Sequence, residues 1–97
     1  MKSLDEIKEI LQAHKPELEQ KYHVKEIGIF GSYVRGEQKK RSDVDILVEF
    51  DLVPGLLRFI ELEDYLARLL GVPVDLVRKK SIREELRARI LGEVVML

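Results

Sequence analysis

Gly31-Ser32 and, after ten intervening residues, Asp43-Val44-Asp45 are the residues of this sequence best suited to chemistry. The first pair follows an apolar run, Ile27-Gly28-Ile29-Phe30, which reads as a short buried strand. Gly31 lets the chain turn sharply at its end, and Ser32 is expected to cap a following helix. Amides at such a helix start suit a triphosphate. Asp43 and Asp45 are expected to open a second strand, Val44 to Val48, with both carboxylates on one face because strand side chains alternate with period two. Two neighbouring carboxylates repel each other unless a cation joins them. Oxygen ligands of this kind suit magnesium, which takes one or two protein carboxylates and completes its octahedron with water and phosphate oxygens. The combination reads as nucleotidyl transfer. Taken singly, each part has an ordinary explanation in turn chemistry or solvated charge. Four such fixed positions arise by chance in a chain of this length on the order of once in a thousand, given average residue usage.

The pattern Gly31-Ser32-Tyr33-Val34-Arg35-Gly36, followed by Arg41-Ser42-Asp43-Val44-Asp45-Ile46-Leu47-Val48, resembles the signature of the DNA polymerase β-type nucleotidyltransferase superfamily. Within it, the short chain is most similar to the minimal nucleotidyltransferases, the MNT proteins encoded beside HEPN-domain partners. The resemblance runs from the strand at Lys25 to the final helix. It implies ATP held by two magnesium ions and transfer of a nucleotidyl group to an acceptor hydroxyl. It also implies a third carboxylate from a later strand, and Val72-Pro73-Val74-Asp75-Leu76-Val77 offers Asp75 there. By this resemblance Asp43 and Asp45 bridge both metals, while Asp75 binds the one that activates the acceptor oxygen. Two cations about 3.5–4 Å apart stabilise the attacking and leaving oxygens of an in-line displacement, and Asp75 is placed to take the acceptor proton. Gly31, Ser32, Arg35 and Ser42 are the expected nucleotide-binding residues. Arg35, one turn beyond Ser32, is within reach of the phosphates or the pyrophosphate leaving group, and Ser42 is expected to hold its loop in register through backbone hydrogen bonds. Lys39, Lys40 and Arg41 form a basic loop between turn and carboxylates, read as solvated or nucleotide-contacting.

The elements that must position these groups alternate along the chain. Ser3-Leu4-Asp5-Glu6 reads as a capping box, after which Leu4, Ile7, Ile10, Leu11 and His14 recur at helical spacing. Pro16 is expected to break or kink that helix, leaving a short piece from Leu18 to Tyr22 to lead into a first strand, Val24 to Phe30. Pro54-Gly55 marks a turn, and Leu56, Phe59, Ile60, Leu62, Leu66, Leu69 and Leu70 form an apolar helix stopped at Gly71. A third strand follows from Pro73 to Arg78. Ser81-Ile82-Arg83-Glu84 reads as a second capping box, opening a helix with Leu86, Ile90 and Leu91 before Gly92. The fold expected is α/β: one polymerase β-like domain spanning residues 1–97, its small mixed sheet of three to four strands backed by helices, with the carboxylates at one open edge.

Composition bounds the remaining possibilities. The 97 residues are 45% hydrophobic, enough for one small core, and Lys+Arg 17 against Asp+Glu 18 leaves a net charge of −1. Such a balance argues against direct nucleic-acid binding, which leans on a surplus of basic groups. There is no cysteine, hence no disulfide, thiolate metal site or thiol nucleophile, which fits a cytoplasmic location. No apolar run approaches the ~18 residues of a membrane span. His14 and His23 share no metal-ligand spacing, and no nucleophile elbow surrounds Ser32.

A domain this small has little chain left to build a pocket for a specific acceptor. By resemblance the acceptor is a hydroxyl, a tyrosine for preference, on a HEPN ribonuclease toxin for which this chain is the antitoxin; the pair would form a hetero-oligomer. Partner contact is expected from the helix around Leu56 to Tyr65 or from Val94-Val95-Met96-Leu97, unless these residues merely close the core. Two further readings stay open: inhibition by occlusion without catalysis, and transfer to a small molecule or RNA end in concert with another subunit.

Overall fold

A computed structural model describes residues 2–97. The chain begins with α1, Leu4–Tyr22, whose start is closed by the expected reciprocal contacts: the Glu6 amide donates to Ser3 Oγ and the Ser3 amide donates to Glu6 Oε1, both at 3.2 Å. It ends at His23, a non-glycine residue in the left-handed region (φ 59°), whose amide donates back to Glu19. Contrary to expectation, α1 runs unbroken through Pro16. Proline there forfeits one backbone bond, a cost of about 3 kcal/mol. Ile7 and Leu11 before it and Leu18 and Tyr22 after it are all buried in one core, and that shared burial holds the two halves together.

Four strands follow: β1, Val24–Phe30; β2, Val44–Phe50; β3, Val74–Arg78; and β4, Val95–Met96. Their spatial order is β3-β2-β1-β4. β1 pairs antiparallel with β2 and β4, whereas β2 and β3 are parallel and therefore need a crossover. That crossover is α3, Leu56–Leu70. One turn of helix, α2 (Ser32–Arg35), follows β1, and α4 (Glu84–Glu93) precedes β4. The sheet is therefore mixed and four-stranded, as expected, with the apolar carboxyl-terminal residues supplying the fourth strand.

Strand alternation divides the interior in two. Ile27, Ile29, Val44, Ile46, Val48 and Leu76 meet α1 and α3 on one face. On the other, Phe30 and Leu47 meet Ile82 and Ile90 in a smaller cluster. Apolar side chains on both faces explain why the strands read as continuous hydrophobic runs. Asp45 and Asp75, being out of phase with Ile46 and Leu76, fall on the face covered by α4.

Three local expectations change. Gly31, not Ser32, is the cap of α2, and Ser32 is its first residue. Ser81 closes a single turn of 3-10 helix, Lys79–Ser81, instead of capping α4; Arg83 stands at the α4 cap with no side-chain bond, and the helix runs on past Gly92 to Glu93. Burial of Ile82 in the small core holds it extended (φ −64°, ψ 130°), which postpones the helix until Glu84. β2 starts at Val44, so Asp43 lies just before the strand, and β3 starts at Val74, one residue after Pro73. Among the described residues no helix is long and apolar enough to cross a membrane.

Candidate active site

At the end of β1 the chain turns at Gly31 with φ 81° and ψ −152°, a conformation L side chains rarely adopt. Glycine is required for a second reason: a Cβ here would collide with the carboxylate of Asp45. The turn and the carboxylate are thus in direct apposition. Asp45 stands opposite Phe30 on one side and level with Asp75 on the other, through the registers of β1 with β2 and of β2 with β3. Parallel pairing brings the two acidic side chains out side by side.

These residues open into a cleft of about 410 Å³ between the sheet and α4, a volume in the range of small-ligand sites. Gly31, Arg35, Asp45 and Asp75 all line it. Ser32, Asp43 and Ser42 are not part of its lining. Ser42 Oγ instead accepts from the Lys39 amide at 2.8 Å and its own amide donates to the Lys39 carbonyl, which staples the loop leading to the carboxylates. Asp43 is exposed, yet its charge is felt by Asp45 and by the buried Tyr33 hydroxyl, whose pKa is raised by burial and then by Asp43.

Electrostatically the cleft floor is poised. Burial, then Asp75, then Asp43 push the Asp45 carboxyl up to about 6, against a smaller opposing pull from Arg35. None of the three aspartates has an ion pair among the described residues. The opposite wall carries Arg83 and Arg89.

One participant has no signature in the sequence. Glu93, at the end of α4, accepts a 2.7 Å hydrogen bond from the Gly31 amide and pairs with the Arg35 guanidinium at 2.9 Å. Burial alone would raise the Glu93 pKa, but the Gly31 amide and Arg35 together bring it below the usual carboxylate value. Arg35 also pairs with Glu37 at 2.8 Å, and these two contacts raise its own pKa. The guanidinium is therefore committed to two carboxylates while facing the cleft. Only the antiparallel register of β4 on β1, with Val95 opposite Ile29, brings Glu93 level with Gly31; helical periodicity holds no trace of it.

A model of the nucleotidyltransferase domain matches residues 5–96. The chain belongs to the nucleotidyltransferase domain family. Protein adenylyltransferase MntA of Thermococcus cleftensis is 58% identical over 95 residues, covering 98% of this nucleotidyltransferase and 96% of the relative. A solved protein classed provisionally as a minimal nucleotidyltransferase superposes with a TM-score of 0.81 at 32% identity, covering 99% and 97% of the two chains. A chain from the complex of tri-AMPylated Shewanella oneidensis HEPN toxin with MNT antitoxin superposes with a TM-score of 0.60 at 25% identity, over 95% of this chain and 66% of that one. Membership implies a nucleotide substrate.

Among the described residues no three acidic or histidine side chains are gathered closely enough to cage a metal ion. Magnesium needs no such cage, because it leaves most of its positions to water and substrate phosphate. A pair of adjacent carboxylates without a counter-ion, one of them with a raised pKa, is a donor set that fits it.

Proposed function

We propose that this nucleotidyltransferase moves AMP from ATP onto a tyrosine hydroxyl of a HEPN-domain toxin and so acts as its antitoxin, in the cytoplasm. The observation that carries the reading is the pairing of Asp45 with Asp75 beneath the Gly31 turn, an uncompensated acidic floor facing an arginine wall. The adenylyltransferase relative, and the AMPylated toxin found with the MNT neighbour, support this choice of group and acceptor.

Asp43, Asp45 and Asp75 would hold two magnesium ions, which supply charge neutralisation of the polyphosphate and of the oxygens that enter and leave the α-phosphorus. The Gly31 turn lies against Asp45, where Gly31 and the adjacent Ser32 would seat the polyphosphate once the Gly31 amide is released from Glu93. Arg83 and Arg89 offer it positive charge from the facing wall, and Arg35 does so once its pairing with Glu93 and Glu37 is shared. The acceptor oxygen attacks the α-phosphorus, the bond to the bridging oxygen breaks, and pyrophosphate departs. The hydroxyl proton passes to the Asp75 carboxylate, which is exposed at the open side of the floor.

The test is to incubate the chain with ATP, magnesium and the HEPN-domain protein of the same genome, and to weigh the products. Adenylyl additions on the HEPN chain are expected. Replacing Asp43→Asn together with Asp45→Asn is expected to lower transfer by ~10³-fold or more while the two proteins still co-elute. Neutralisation of the toxin without any transfer would mean occlusion instead.

A further inference from the structure

The exposed apolar side chains are concentrated, not scattered. Of the seven large hydrophobic residues most open to solvent among those described, five are Leu52, Val53, Leu56, Leu57 and Ile60. They occupy the loop after β2 and the first turns of α3. Leu56 and Leu57 are 75% and 77% exposed, although α3 already buries Leu62, Leu66 and Leu70 on its inner face. The helix is apolar on two sides, and only one faces the core.

Beside this patch lies a groove of about 430 Å³ whose walls include Pro54, Leu56, Phe59, Leu76 and Arg78. It runs along β3, an edge strand of the sheet. Val77 and Ser81 line both this groove and the acidic cleft, so the two depressions meet. Val77 is two residues from Asp75 along the strand, on the same face and about 7 Å away. Arg78, Lys79 and Lys80 follow in succession, with no ion-pair partner among the described residues. The groove is thus apolar along one wall, carries Arg78, and is open to the acids, while Lys79 and Lys80 line a small adjoining pocket that shares Arg78 with it.

We propose that this groove is where the acceptor protein docks. The occupant that fits is a segment of the partner with apolar side chains for Leu56 and Phe59, an acidic side chain for Arg78, further acidic side chains beyond the groove for Lys79 and Lys80, and the acceptor hydroxyl nearby. Its seat ends beside Asp75, which is where a hydroxyl must stand to lie within about 3–3.5 Å of the α-phosphorus. A broad apolar patch on an otherwise charged surface marks a protein partner in preference to a nucleic acid, whose phosphates would engage only the basic end. This inference rests on the protein-adenylylation reading and adds the place of recognition.

Two variants test it, both altering side chains that do not line the acidic cleft: Leu56→Glu with Leu57→Glu, and Lys79→Glu with Lys80→Glu. The partner is the HEPN-domain protein of the same genome. Each pair is expected to raise KM for the partner, and its Kd in calorimetry, about tenfold or more. kcat, affinity for a non-hydrolysable ATP analogue and melting temperature are expected to stay within about twofold or a few degrees of wild type. Unchanged partner KM and Kd would overturn the proposal. So would a wild-type dimer that becomes monomeric in the leucine variant without any change in partner affinity, since a second copy would then fill the groove. Absence of transfer by the wild-type chain would defeat the adenylylation reading alone, because partner Kd still judges the groove.

Discussion

Asp45 carries the tension of the site. Its carboxyl is pushed up to about 6 by burial and by Asp75 and Asp43, so at neutral pH the folded chain keeps an ionised group that its surroundings disfavour. The raised pKa makes this contribution most favourable below about 3.8, where the carboxyl is protonated in both states; it is lost as pH rises through about 6. Asp45→Asn is therefore expected to be more stable than wild type at pH 7.5 in metal-free buffer. After discounting for solvent access, the gain is on the order of 1 kcal/mol, or about 4–8 °C in Tm. The difference should shrink as pH falls from 7 toward 4, and magnesium should raise the melting temperature of wild type more than that of the variant. Melting curves across pH, with and without magnesium, check all three. Part of this arrangement was legible in the residues themselves, because Gly31 and Asp45 depend on turn chemistry and strand alternation, which are local; Asp75 came from the family resemblance, and its place beside Asp45 comes from the parallel pairing of β2 with β3. Glu93 was not legible, since its link to Gly31 exists only after β4 has paired with β1.

At the scale of elements, the same division between local and tertiary causes holds. β1 lies at Val24–Phe30 as its apolar run indicates, and α1 starts at the Ser3 capping box. Pro16 and Ser81 mislead because each offers a valid local rule that packing overrides. At Pro16 the core grips both halves of α1; at Ser81 the buried Ile82 holds the backbone extended. Since α1 stays helical in spite of its proline, Pro16→Ala is expected to stabilise the chain by roughly 1–3 kcal/mol, by restoring a backbone donor and easing the clash with the preceding turn. The gain is tempered by a more flexible unfolded chain. Chemical denaturation at fixed pH measures it; a loss of stability would show that α1 needs its proline. The two apolar sides of α3 show a limit of another kind: periodicity announces a helix but cannot say which stripe the core takes.

In the molecule as a whole, the sheet separates a large core, shared with α1 and α3, from a small one of Phe30, Leu47, Ile82 and Ile90. The acidic cleft lies on the lightly packed side, under α4. Regions with few buried apolar contacts open at lower free energy than the global transition. Amide exchange is accordingly expected to be faster in α4 than in β1, β2 or the inner face of α3, and to slow in α4 when a non-hydrolysable ATP analogue and magnesium are added. Uniform protection across both layers, measured by mass spectrometry, would contradict this.

The Glu93 contact gives that loosely held layer a further property. The tether that holds the Gly31 turn is anchored at the end of α4, on the lightly packed side of the sheet, so a displacement of α4 would release the turn while the strands that carry Asp45 and Asp75 stay paired. Turn and acids are thus held by separate supports, the one by a single carboxylate from a helix end and the other by the ladder between two strands.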